Sequence, residues 1–150
     1  GATYGDALAR KIVDGDQPIT GGIQKLSLTV GHADLTAAAT SQVLAIGTLP
    51  ANSRIVGRSI ALATPFTGGS VSACTVDIGS TGDADAVVDG ANVLAAAVDG
   101  QASAITDGIA PNKHFASETT LNATFISASD NLVNLAAGAC TIDILYIELP

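Results

Sequence analysis

One six-residue phrase occurs twice in this chain, and its alternation limits what the chain can fold into. Residues 73–78 read ACTVDI and residues 139–144 read ACTIDI. Side chains of a β-strand point alternately to its two faces, so Cys and the two aliphatic residues share one face while Thr and Asp share the other. A period of two with one apolar face is typical of a strand that is buried on one side and solvated on the other. The phrase therefore predicts an all-β protein.

Further alternating segments, separated by Gly and Pro turns, extend this pattern. We predict strands over residues 23–30, 40–46, 54–64, 73–78, 121–127 and 140–149, and an edge strand over residues 109–115 that contains Pro111. In the third of these, Ile55 is predicted on one face, and Val56, Arg58, Ile60 and Leu62 on the other. Residues 80–98 match neither a strand nor a helix template clearly. Short strands with turns at this spacing are typical of a β-sandwich or barrel.

Residues 1–22 differ from the remainder. Asp6 is placed to cap a short helix over residues 7–13, which Asp14-Gly15 would end, and Gly and Pro residues then interrupt regular structure. We predict an extended or partly helical N-terminal arm, residues 1–22, followed by a single domain, residues 23–150. The arm either reaches a neighbouring molecule or lies over its own domain.

The composition allows two interpretations, a protein that packs into an assembly and a compact β domain with a neutral surface. The chain is 47% hydrophobic but only 13% charged, whereas about a quarter of the residues of an ordinary soluble domain are charged. A surface with few charges loses little solvation energy when another protein covers it.

The longest uncharged runs, residues 35–53 and 59–76, contain Thr, Pro and Gly and are not the continuous apolar stretch of about 20 residues that a membrane-spanning helix needs. We therefore predict no membrane partner.

The net charge of −8 and the scattering of the six Lys and Arg residues argue against a nucleic-acid partner.

The two cysteines, Cys74 and Cys140, lie on the apolar faces of their predicted strands. We predict buried free thiols there, with a disulfide as the alternative if the two strands are neighbours and the residues are directly opposed.

No catalytic or cofactor-binding motif is present. His32 and His114 are the only histidines, and neither lies in a recognisable nucleophile, phosphate-binding or metal-binding motif. We predict that the protein is not an enzyme and has no cofactor. The carboxylates of Asp83, Asp85 and Asp89 are weak candidates for a cation site, but they lack EF-hand spacing. We predict a solvated acidic turn there and no metal site.

Several turn phrases carry a resemblance to a known class of protein. These are residues 49–57 (LPANSRIVG), 65–69 (PFTGG), 77–85 (DIGSTGDAD) and 136–139 (AAGA). Together they resemble small β-structured virion proteins of tailed bacteriophages, of the capsid decoration (cement) type, over residues 43–150.

The resemblance implies an antiparallel β-sandwich with a jelly-roll-like fold and a structural role on the outer capsid surface of a virion assembled in the host cytoplasm. It further implies the major capsid protein as partner and self-association as a homotrimer. We expect the capsid or subunit contact in the arm, at Tyr4, Leu8, Lys11 and Ile12. The alternatives are another virion component, a head fibre base or tail protein, and a carbohydrate-binding β-sandwich, whose groove would need exposed aromatics such as Tyr4, Phe66 or Phe115.

Overall fold

A computed structural model describes residues 20–94 and 113–150, which form eight β-strands and two short 3₁₀ turns. The strands are β1 (Thr20–Gly31), β2 (Ser41–Leu49), β3 (Ser53–Thr67), β4 (Ala73–Ser80), β5 (Asp83–Asn92), β6 (His114–Phe115), β7 (Thr119–Ala128) and β8 (Ala137–Glu148). The 3₁₀ turns are His32–Asp34 and Leu132–Asn134. Within the described residues, no helix is long and apolar enough to cross a membrane.

The strands pair in the order of a rolled hairpin. Strand β1 pairs with β8, β2 with β7, β3 with β6, and β4 with β5, all antiparallel. Two further pairings, β8 with β3 and β7 with β4, join these ribbons into sheet A, in the order β1-β8-β3-β6, and sheet B, in the order β2-β7-β4-β5. Two four-stranded sheets connected in this way are a jelly roll. The predicted all-β, jelly-roll-like sandwich is therefore confirmed.

The inward faces of the two sheets form one hydrophobic core. Its largest fully buried side chains are Phe66, Phe125, Leu35, Leu49, Ile55, Ile60, Leu62, Ile78, Leu121, Leu132, Ile142 and Ile144. Phe66 of sheet A and Phe125 of sheet B meet with ring centroids 5.5 Å apart and ring planes tilted by 46°, a favourable geometry for an aromatic pair. Gly138 has φ +149°, and a Cβ there would overlap the Phe66 ring. The glycine therefore lets β8 run directly beside this pair.

The predicted alternation is confirmed in both copies of the repeated phrase. Cys74, Val76 and Ile78 on β4, and Cys140, Ile142 and Ile144 on β8, are all buried, with at most 1% of their surface exposed. Both cysteines are free thiols, as predicted. Their strands belong to different sheets, so they are not the neighbouring strands that the disulfide alternative required.

The structure corrects the predicted face of Val56. Ile55 and Ile60 are both buried, whereas Val56 is 39% exposed. Ile55 pairs with Tyr146 and Gly57 pairs with Leu145, so β3 has one residue more than β8 between these pairs. An extra residue of this kind forms a β-bulge and reverses the alternation beyond it.

A second correction concerns the end of the second strand, which was predicted at Ile46, directly before Gly47. Strand β2 continues to Leu49, and a register shift lies between Ala45 and Gly47. A Cβ on Gly47 would lie 2.9 Å from Cδ2 of Leu26 on β1. The glycine marks a close approach between the two sheets rather than a turn.

Part of the segment left unassigned in the sequence, residues 80–98, is strand β5. Ala86, Val87 and Val88 are consecutive and all buried, so the period of two is lost where the segment is most apolar. The predicted edge strand is confirmed in part, because β6 lies at the edge of sheet A beside β3. Pro111 and residues 95–98 lie outside the described residues, as do residues 1–19.

Candidate interaction surfaces

The outward face of sheet A carries apolar side chains at the end where β1 begins and β8 ends. Leu145 on β8 lies between Lys25 on β1 and Gly57 on β3. Cδ1 of Leu145 is 3.1 Å from the position that a Cβ on Gly57 would take, so the absent side chain lets the leucine lie across β3. We define the sheet A patch as the apolar residues Ile23, Val56, Leu145 and Ile147 together with the cations Lys25 and Arg54.

Exposure distinguishes this patch from a normal scatter of apolar residues. Ile23 is 66% exposed, Val56 39% and Leu145 37%, and they lie on three adjacent strands within two residues of one register row. Arg54 pairs with Ile147 and is exposed. The patch therefore combines solvent-exposed apolar area with positive charge.

The other half of the same face is polar. Ser27 Oγ donates a hydrogen bond of 2.6 Å to Asp143, and the hydroxyls of Thr29 and Thr141 are 3.3 Å apart across β1 and β8. These cross-strand pairs stabilise the sheet and occupy its outward polar groups. The sheet A patch is thus confined to one end of the sheet.

The outward face of sheet B has a different composition. Val43 pairs with Thr124, which pairs on its other side with Asp77, while Ile126 lies one row away, beside Ser41 and Thr75. Val43 is 58% and Ile126 37% exposed. We define the sheet B face as Ser41, Val43, Ala45, Thr75, Asp77, Asn122, Thr124 and Ile126. Its only charged member is an acid.

The acidic residues of the β4–β5 hairpin adjoin this face. Asp77 Oδ1 accepts a hydrogen bond of 2.7 Å from the backbone N–H of Gly90. Burial raises the pKa of Asp77, and the nearby Asp89 and Asp85 add to the increase, while the Gly90 bond opposes it. A hydrogen bond with Asp85 is the main cause that raises the pKa of Asp83. The hairpin gives this edge of sheet B a negative potential.

The candidate cation ligands do not form a metal centre. Asp83 and Asp89 are exposed and Asp85 is half-buried. Across residues 20–94 and 113–150, no group of three or more His, Cys, Asp or Glu side chains is arranged to hold a metal ion. The weak cation site suggested by the spacing of these carboxylates therefore gains no support from the geometry.

Asp130 joins two loops at one end of the sandwich. Its carboxylate accepts hydrogen bonds from the backbone N–H of Ser70 at 2.9 Å, the backbone N–H of Asn131 at 2.8 Å and the side-chain amide of Asn134 at 2.6 Å. These bonds, that from Ser70 first, lower the pKa of Asp130. A Cβ on Gly69 would lie 2.5 Å from its Oδ2. The β3–β4 loop is therefore held against the β7–β8 loop by an ionised acceptor.

Asn52 joins separate segments of the chain at the opposite end of the sandwich, as Asp130 does at the first end. It adopts φ +60°, and its side-chain amide donates to the carbonyl oxygens of Leu149 and Pro150 at 3.1 and 2.9 Å. Its Oδ1 is 2.7 Å from Nε2 of His114, and its backbone N–H donates to Ala116. The residues after β8 are thus bound to the β2–β3 turn and to β6.

The remaining candidates from the sequence are placed as follows. His32 is half-buried in the first 3₁₀ turn, and His114 is exposed on β6. Phe66 is fully buried and Phe115 half-buried, and no aromatic side chain of the described residues is exposed. The described surface therefore offers no aromatic platform for a sugar. The four predicted contact residues of the arm, Tyr4, Leu8, Lys11 and Ile12, lie outside the described residues.

Sequence reasoning missed Asp130, Asn52 and the sheet A patch. The tripeptide Ser129-Asp130-Asn131 is a local turn signal, but nothing local indicates that Asp130 binds Ser70, which lies sixty residues earlier. The patch depends on the bulge at Val56 and on the order of the strands, neither of which is visible in the sequence.

The fold is similar to that of a chain from a phage capsid structure. A chain from the capsid asymmetric unit of cyanophage Pam1 aligns with a TM-score of 0.56 and 16% identity, covering 92% of this chain and 96% of that chain. A chain from the acidic stable capsid structure of Helicobacter pylori bacteriophage KHP30 aligns with a TM-score of 0.47 and 17% identity, covering 83% of this chain and 92% of that one. No protein-family model and no curated protein sequence matches the chain. At these identities, the Pam1 similarity establishes a common jelly-roll fold.

Proposed function

We propose that this protein is a structural, non-enzymatic component of a tailed-phage virion, which binds the outside of the capsid and cements the shell. The observation that carries the proposal is the jelly roll that this chain shares with a capsid chain of cyanophage Pam1 over 96% of that chain's length. Jelly rolls recur in viral capsid and lectin domains. The buried or half-buried aromatics of the described residues favour the first of these.

The physical basis of cementing is linkage. A protein that binds only the assembled shell stabilises that shell by mass action. Faces with few charges suit this role because covering them requires little desolvation, and the sheet B face has a single carboxylate among eight residues. The proposed partners are the major capsid protein and two further copies in a homotrimer.

Charge supports a location on the outer surface. Three copies would have a formal charge of −24, three times the −8 of one chain. Such a trimer would be repelled by packaged DNA on the inside of a shell.

We further propose that the arm contributes to the contact with the shell or with a neighbouring copy, through Tyr4, Leu8, Lys11 and Ile12. The support for this is the sequence of residues 1–22, which combines apolar and cationic side chains with Gly and Pro breaks.

The test is cryo-electron microscopy of shells incubated with the full-length protein and with a variant that lacks residues 1–17. We expect density for the full-length protein at threefold or quasi-threefold positions and loss of that density for the truncated variant. A thermal unfolding transition of the truncated variant at the wild-type temperature serves as the folding control.

Other outcomes contradict specific parts of the proposal. Unchanged binding of the truncated variant would refute the role of the arm. Density on the tail or at a single vertex would replace cementing by a tail or head-fibre function. No association with particles would refute the virion assignment.

A further inference from the structure

We propose that the sheet A patch of one copy binds the sheet B face of a second copy, in a head-to-tail contact. The inference deepens the self-association proposed above and rests on that proposed function. It identifies which surfaces meet and how they are oriented.

The first argument is the apolar content of the two surfaces. Ile23, Val56 and Leu145 are exposed on one, and Val43 and Ile126 on the other, with exposed fractions between 37% and 66%. These are five of the six large exposed hydrophobic residues in the described part of the chain. Clustered apolar side chains on a surface mark an interaction site, whereas scattered ones do not.

The second argument is the sign of the charge on each surface. Lys25 and Arg54 are the exposed cations of the sheet A patch, while Asp77 lies in the row of Val43 on sheet B, and Asp89 is exposed nearby. Two sheet A patches facing each other would bring four cations together, and two sheet B faces would bring carboxylates together. A contact between unlike surfaces pairs opposite charges and therefore sets the orientation.

The third argument concerns geometry. The two surfaces lie on opposite outward sides of one sandwich, so a single copy cannot satisfy both by itself. Each copy offers one surface of each kind, so the contact can repeat from copy to copy, and it forms a ring when the rotation between successive copies closes, as the proposed homotrimer requires. A ring in which every copy uses both surfaces leaves neither the sheet A patch nor the sheet B face uncovered.

The experiment uses two full-length double variants that each damage one surface. Ile23→Asp/Leu145→Asp places two carboxylates in the sheet A patch, where they would face the acidic sheet B face of a second copy, and Val43→Lys/Ile126→Lys places two ammonium groups on the sheet B face, where they would face Lys25 and Arg54. Sedimentation velocity measures the assembly of each variant alone and of an equimolar mixture. The matched controls, Thr29→Asp/Thr64→Asp and Thr29→Lys/Thr64→Lys, add the same charges at two exposed positions of sheet A outside the patch.

We expect the wild type and both controls to form the same closed oligomer. Each surface variant alone should be monomeric, with a dissociation constant raised about 100-fold. The mixture should form a one-to-one complex that grows no further, because its single remaining wild-type contact joins the intact sheet B face of one variant to the intact sheet A patch of the other.

Several results would overturn this inference. They are a monomeric wild type, assembly of either variant alone, a control that fails to assemble, or a mixture that stays monomeric. Self-association of the sheet B variant alone would point to a contact between two sheet A patches. Cooperative thermal unfolding of each variant establishes that it is folded. Shell binding is measured separately, so shell binding by a monomeric wild type would refute this contact and leave the cementing function in place.

Discussion

Strands β4 and β8 carry almost the same six residues but belong to opposite sheets. Each is an interior strand of its sheet, with an antiparallel neighbour on both sides, and each turns its Cys and two aliphatic residues into the same core. The recurrence therefore reflects two equivalent environments, since a strand paired on both edges and covered on one face has the same requirements in either sheet.

The outward residues of the two copies differ in their surroundings. Asp77 on β4 accepts from the backbone N–H of Gly90, and burial raises its pKa. Asp143 on β8 accepts from the hydroxyl of Ser27. The matching residues of β4 and β8 therefore have similar surroundings on the inner face, because both strands pack against the same core. Their surroundings on the outer face differ, because each strand has its own solvent-side neighbours.

The largest expected effect tests the equivalence of the inner faces. Ile78→Ala on β4 and Ile144→Ala on β8 each remove a side chain that is 0% exposed, and each should lower the free energy of unfolding by about 2–5 kcal/mol. Urea denaturation of the two variants measures these losses. A loss below about 1 kcal/mol for one strand and within the expected range for the other would show that the two environments are not equivalent.

An intermediate effect is expected from the two thiols. Burial raises the pKa of Cys74 to about 11, and burial together with the nearby Cys74 raises that of Cys140 to about 12. The unfolded chain releases these protons near pH 9, so stability is complete below that pH and decreases as the pH rises toward the folded values. The loss should approach about 1.4 kcal/mol per thiol for each pH unit.

The measurement is urea denaturation of the wild type and of Cys74→Ala and Cys140→Ala between pH 8 and pH 10.5. Each alanine variant should be less stable at pH 8 but lose less of its stability as the pH rises. Parallel curves for the wild type and both variants would exclude the thiols as the cause of the alkaline loss.

The smallest effects should differ in sign between the two outward aspartates. Asp77→Asn keeps an acceptor for Gly90 and removes a partly desolvated charge, so it should stabilise the protein at pH 7 by up to about 1 kcal/mol. Because the folded pKa of Asp77 is raised, this advantage should disappear as the pH falls below about 4. Asp143→Asn weakens a charge-assisted bond from Ser27 and should destabilise by less than about 1 kcal/mol.

Chemical denaturation of both variants at pH 7 and pH 3 checks the signs. Shifts of the same sign at pH 7 would mean that the outer environments of β4 and β8 are alike after all.

The β-bulges show which feature of a strand the sequence did not predict, namely the face on which each residue lies beyond the bulge. The strand that contains Val56 was predicted correctly, but the face of Val56 was not, because one extra residue between Ile55 and Gly57 reverses the alternation. The register of a strand against its partner decides this, and the partner, β8, lies some ninety residues further along the chain.

The same limit applies to the surfaces. The low charge of the chain predicts faces that are easily covered, but the position of the sheet A patch depends on Ile23, Val56 and Leu145 lying on three strands that are adjacent only in the folded sheet. Likewise, the sequence indicates only that Asp130 is a turn residue. The structure shows that its carboxylate joins the β3–β4 loop to the β7–β8 loop.

The sequence by itself determined the strand class, the inner faces of most strands and the buried state of both cysteines. These follow from side-chain alternation, which is a local property of an extended backbone. The tertiary structure alone decided which strands are neighbours, where the alternation reverses and which outward residues share a surface. These three features depend on pairing between residues that are far apart in the chain. The free energy of such pairing comes from many contacts together, so no single segment of the sequence determines it.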